Sequence, residues 1–126
     1  GLDGCSLGGW LALEVFRRSP EPFAALGCIQ AAISTAAADS YAGALLAAME
    51  RAGRAVPVHV LTSQGDPYRT ANQQLAAALA RRGAQVRARV LPGPHDQPWL
   101  REAGAPEALL FHDEVLREKL PAPSAP

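Results

Sequence analysis

Lysine is nearly missing from this 126-residue chain: Lys119 is one of twelve basic residues and the other eleven are arginine. Beside abundant Ala, Gly and Pro, that bias reads as the coding style of a GC-rich bacterial genome. An excess of charge is missing too. Twelve Lys and Arg balance twelve Asp and Glu, and the basic residues are scattered over separate segments, so no nucleic acid and no anionic membrane surface is expected as a partner. No apolar run approaches the ~20 residues of a membrane-spanning helix. Cysteine is scarce, with Cys5 and Cys28 too few for a disulfide framework. Both are expected to be reduced, which points to the cytoplasm. Metal-ligand spacing is lacking, His95-Asp96 being an isolated dipeptide, so no metal is expected. Gly4 to Gly9 matches neither G-x-G-x-x-G nor a P-loop, and no cofactor is expected.

What is present is a globular composition, 48% hydrophobic and 19% charged, with alternating helical and strand-like segments. Leu11, Ala12, Val15 and Phe16 recur at helical spacing between Gly8 and Arg18, and Pro20 and Pro22 end the pattern. Residues 23–32 form a short apolar run, as a strand buried on both faces does. A helix is predicted over 40–52, capped by Asp39 or Ser40 and closed by Gly53. A β-branched strand follows over 56–62, then a helix over 68–82 closed by Gly83. Residues 85–91 alternate apolar and polar, as a strand near a sheet edge would. A last amphipathic helix is predicted over 107–120, with a disordered tail at 121–126. Helices separating successive strands predict an α/β fold with a parallel sheet of about three strands and helices on both faces.

In such sheets chemistry collects on the loops after the strands' carboxyl ends. Ser6 lies in Gly4-Cys5-Ser6-Leu7-Gly8, a G-x-S-x-G pentapeptide directly before a helix, the setting of a strained turn that exposes a nucleophilic hydroxyl. The same glycines could serve phosphate binding at a helix N-terminus, but no acidic ribose partner follows in the apolar run near Cys28. Asp66 follows the second strand, where a carboxylate could orient a histidine, although Asp before Pro is also an everyday turn. His95 follows the third strand, where an imidazole could act as general base. Asp39 competes with Asp66 as the acid. His59 and His112 fall inside a strand and a helix, and packing accounts for them better. Trp99 is a candidate wall of the acyl or leaving-group pocket, against the simpler role of packing the loop onto the last helix.

The order Ser, Asp, His on successive loops resembles the serine esterases of the α/β-hydrolase fold, in particular the enterochelin-esterase-like and esterase D-like group. GCSLGG, LTSQGDPYRTANQQLAAALARRG and VLPGPHDQPWLREAGAPEALLFHDEVL carry the resemblance, which runs from Gly1 to about Leu120. It implies Ser6 as nucleophile, Asp66 as triad acid, His95 as base, Leu7 N–H as an oxyanion donor, and a small-molecule ester as substrate. The family's second oxyanion donor comes from an earlier strand that is not seen before Gly1. Residues 1–120 are therefore expected to be the C-terminal portion of such a domain, weakly active alone and open to self-association through an unpaired sheet edge. The competing reading is a non-catalytic α/β domain used for binding or assembly.

Overall fold

The computed structural model describes residues 1–119, so the tail expected at 121–126 lies outside the described residues. Helix α1 (Leu7–Arg18) leads to β1 (Leu26–Ile29), α2 (Thr35–Arg51), β2 (Val58–Ser63), α3 (Arg69–Arg81) and β3 (Val86–Leu91). A helical turn α4 (Gln97–Trp99) and a π-helical turn (Leu100–Gly104) then run into α5 (Ala105–Lys119). The sheet order is β1-β2-β3, all parallel, in a register that aligns Gly27 with His59 and His59 with Arg87.

Alternation along the strands divides the core. Leu26, Cys28, Val58, Val60 and Val86 pack under α1, α2 and α3, while Ile29 and Leu61 pack with Trp99 and Ala108. Phe111 and Val115 of α5 close over Ala25 on that second face, so helices cover both sides. Strands β1 and β2 are buried along their whole length, as their apolar sequences require, whereas β3 is exposed from Arg87 to Val90 and half-buried only at Val86 and Leu91.

Four differences from the sequence reading have physical causes. Residues before Ser6 behave as a strand: Leu2 and Cys5 bridge in parallel to Leu26 and Ile29, with Gly27 N–H donating to Leu2 O at 2.7 Å and Ile29 N–H to Gly4 O at 2.8 Å. Asp3 and Gly4 disguise this segment as a turn. Its outer edge pairs with nothing among the described residues. Strand β1 is shorter than 23–32 because Gln30 turns out of the sheet at φ +47°. Helix α2 starts at Thr35, not Ser40, because the Ser34 hydroxyl accepts Ala37 N–H at 3.2 Å and the alanines that follow favour helix. Finally, α1 buries Ala12, Leu13 and Phe16 and leaves Leu11 and Val15 exposed, a rotation from the expected stripe. A polar brace sets that rotation. Trp10 Nε1–H donates to Tyr41 Oη, whose hydroxyl donates to Glu14, and Arg17 clamps the same carboxylate, holding its pKa down to about 2.

His59 is completely buried in β2 under the ring of Phe111, 4.9 Å away, with neither ring nitrogen hydrogen-bonded among the described residues. Burial drives its pKa below 6.5, and Arg87 and His112 push the same way against Asp3 and Glu107. Well above pH 6.5 the ring is neutral in folded and unfolded chains alike and adds no slope. Below it the unfolded chain takes a proton that the folded chain refuses, so stability falls with pH, by up to about 1.4 kcal/mol per unit for one group. Urea midpoints should drop from about pH 7 to about pH 5. His59→Leu should flatten that drop; parallel profiles would assign the slope to other groups.

Candidate active site

Ser6 sits where the extended segment turns into α1, at φ 57° and ψ −116°, a positive φ that a residue with a side chain rarely adopts. The turn is tight enough to require glycine at position 4, where a Cβ would lie 2.0 Å from the carbonyl oxygen of Gly8. Ser6 N–H donates to Ile29 O at 2.8 Å, and Ser6 O accepts from Ala32 N–H at 2.9 Å, which ties the turn to β1 and the loop after it. Leu7 N–H, at the first position of α1, has no hydrogen-bond partner among the described residues. It is a free donor at the positive end of the helix dipole, one residue after the serine.

Three loops converge here. His95 Nε2 lies 2.9 Å from Ser6 Oγ, and His95 Nδ1 lies 2.8 Å from Asp66 Oδ1. Asp66 is buried and its other oxygen accepts the Thr62 hydroxyl at 2.5 Å, while Tyr68 N–H donates to Oδ1 at 3.0 Å. The carboxylate is thus aimed at the imidazole by groups on both sides. Leu7 N–H is the unpaired donor next in sequence to the serine, while Ser6, Asp66 and His95 are brought together. Asp39 is not: it lies within α2, exposed, paired with Arg82 at 2.8 Å. Cys5, next to the serine, is held as a thiol because burial raises its pKa and the charges of Asp66 and Asp3 raise it further. Cys28 is pushed up to about 12 by full burial.

The loop carrying His95 is anchored through four successive carbonyls. Leu91 O accepts Gln64 N–H, Pro92 O accepts Trp99 Nε1–H, Gly93 O accepts Gly65 N–H, and Pro94 O accepts the Ser63 hydroxyl and the Gln30 amide. Gly93, at φ 120°, meets the indole face to edge: a Cβ there would stand 2.3 Å from Trp99 Cδ1. Asp96 caps the turn by accepting Trp99 N–H at 2.9 Å. These contacts account for the G-P-H-D-x-x-x-W spacing. Of the two roles open to Trp99 they favour packing over a pocket wall, because it is buried against Ile29, Leu61 and Ala108. The cavity at the serine, about 370 Å³, is lined by Cys5, Ser6, Gln30, His95, Asp96, Gln97 and Leu100.

Thr62, Ser63, Gln30 and Asn72 were not visible as site residues in the sequence. Asn72 bridges Ala31 to Tyr68 by donating to both carbonyls, at 3.0 and 2.9 Å, and so holds the loop after β1 against the start of α3. A polar pair closing an apolar strand, Thr62-Ser63, was the one available signal. Among the described residues no group of three or more His, Cys, Asp and Glu side chains is arranged to hold a metal ion.

No family model and no curated protein matches the chain. Among solved structures, the apoenzyme of S-formylglutathione hydrolase (FrmB) from Staphylococcus aureus is similar with a TM-score of 0.67 at 14% identity, covering 86% of this chain and 52% of that one. The chain therefore spans about half the length of that structure. What the likeness shows is the fold: a three-stranded parallel sheet clothed by helices, the α/β-hydrolase arrangement.

Proposed function

We propose that the protein is a serine hydrolase of the carboxylesterase type, acting on a small-molecule ester through an acyl-enzyme. The observation that carries this reading is the continuous Ser6–His95–Asp66 hydrogen-bonded chain at the end of three parallel segments. His95 Nε2 takes the Ser6 proton as Oγ attacks the ester carbonyl, and Asp66 stabilises the resulting imidazolium. The carbonyl oxygen, now an anion, accepts Leu7 N–H. Collapse breaks the bond to the leaving alcohol, which receives the proton from His95. Water, deprotonated by the same ring, then attacks the acyl-serine and releases the acid. An acceptor alcohol in place of water would make the second step a transfer. With Leu7 as the one oxyanion donor identified, turnover by this chain alone should be lower by about 10²–10³-fold than with a paired hole.

A fluorophosphonate probe tests the reading. The intact mass should rise by one phosphonyl group, and peptide mapping should place the adduct on Ser6. A folded protein that takes no label would favour the non-catalytic α/β domain.

A further inference from the structure

Gln30 is buried, 1% exposed, yet it lies on the wall of the cavity with Ser6 and His95. Its backbone is held at φ +47°, a conformation with no local reason in a residue that bears a side chain. The backbone N–H donates to Leu61 O at 2.7 Å, which pins this turn to the end of β2. From there the carboxamide reaches across β2. Its Nε2 donates to Pro94 O at 3.0 Å and to Ser63 Oγ at 2.8 Å, and the Ser63 hydroxyl donates to the same Pro94 carbonyl at 2.9 Å. A carbonyl oxygen can only accept, so the amide nitrogen must face Pro94 and the assignment is chemically determined.

We propose that Gln30, with Ser63, is the positioning residue for the general base. This rests on the serine hydrolase reading above. Pro94 immediately precedes His95, and its own φ is restricted by the ring. Fixing its carbonyl oxygen from two donors therefore fixes the peptide plane that leads to the His95 Cα, and with it the direction in which the imidazole leaves the loop. The carbonyls of Leu91 and Gly93 are held by backbone N–H groups and that of Pro92 by Trp99. The last carbonyl before the base is held by side chains alone. The Asp66 contact orients the ring about its own bonds; the Gln30–Ser63 pair sets where the ring starts from.

The test uses Gln30→Met, which keeps an unbranched chain of similar length without the donor, and Ser63→Ala, which removes only a hydroxyl. Four readouts are taken: melting temperature, the far-downfield proton NMR signal of His95 Nδ1–H bound to Asp66, the rate of phosphonylation at Ser6, and ester kcat and KM. In Gln30→Met the NMR signal should broaden or vanish and phosphonylation should slow by about 10²-fold, the scale of a displacement near 1 Å. Ester KM should stay constant while kcat falls. Ser63→Ala should show the same signs at smaller amplitude, because the Gln30 bond to Pro94 remains. A folded Gln30→Met with an unchanged NMR signal and an unchanged labelling rate overturns the proposal. Should Gln30→Met fail to fold, Ser63→Ala decides on the same readouts. Absence of labelling at Ser6 in the wild-type protein would instead refute the hydrolase reading, and the NMR signal would still report whether Gln30 sets the His95–Asp66 bond.

Discussion

Alanine at position 6 is expected to remove ester hydrolysis, a loss of about 10⁶-fold where the nucleophile belongs to a triad acting as a unit. Fold and melting temperature should be nearly unchanged, since Ser6 holds its place through backbone bonds to Ile29, Ala32 and Trp10 and not through its hydroxyl. Asp66→Asn should cost about 10⁴-fold. The geometry indicates why. Thr62 can rotate its hydroxyl to accept from an amide at the Oδ2 position, leaving Oδ1 turned toward His95, so the loss comes mainly from the missing negative charge beside the imidazolium. Combining Asp66→Asn with Ser6→Ala should add nothing further, because a base without a nucleophile has no step to assist. Asp39→Asn should leave turnover intact, since Asp39 faces Arg82 on the surface of α2. Steady-state kinetics on a chromogenic ester checks all four variants; full activity in Asp66→Asn would remove that residue from the mechanism.

Trp99→Ala is expected to be the most destabilising single change near the site, by about 3–5 kcal/mol for truncating a large buried aromatic. The indole fills the space bounded by Ile29, Leu61, Ala108 and the backbone of Gly93 and Gly104, and it alone holds the Pro92 carbonyl. Trp99→Phe keeps most of the volume and loses that hydrogen bond, for about 1 kcal/mol. Urea titration measures both. Because the ring does not border the cavity, Trp99→Phe should leave ester KM unchanged. A raised KM at undiminished stability would return Trp99 to the substrate pocket.

The succession of helix and strand was legible because each strand is apolar, short and fenced by Pro, Gly or Ser, and each helix ends at a recognisable stop. Ser6, Asp66 and His95 were legible for a topological reason: parallel strands deliver their following loops to one end of the sheet. The extended segment before Ser6 was hidden by Asp3, whose carboxylate turns back to accept His112 Nε2–H at 2.8 Å, a partner 109 residues away. Nothing local announces such a pairing. The start of α2 was ambiguous because Asp39 and Ser40 cap a helix about as well as Ser34, and the structure uses Ser34. Trp99 was ambiguous because an aromatic near a base serves equally well as floor or as wall. Gln30 and Ser63 were invisible because their shared target, the Pro94 carbonyl, is brought within reach only by the sheet.

Ser6 and His95 are 89 residues apart and meet at 2.9 Å. None of the intervening strands touches both, so their hydrogen bond exists only after all three parallel pairings have closed in register. Closing such non-local contacts is slow, because the loop-closure entropy is paid before the contacts reward it. A chain whose sheet has not yet closed therefore carries at position 6 an alcohol without its imidazole partner, as unreactive as any surface serine. On the proposed hydrolase reading, topology would keep Ser6 silent until the sheet has closed, and labelling of Ser6 would double as a count of fully folded molecules.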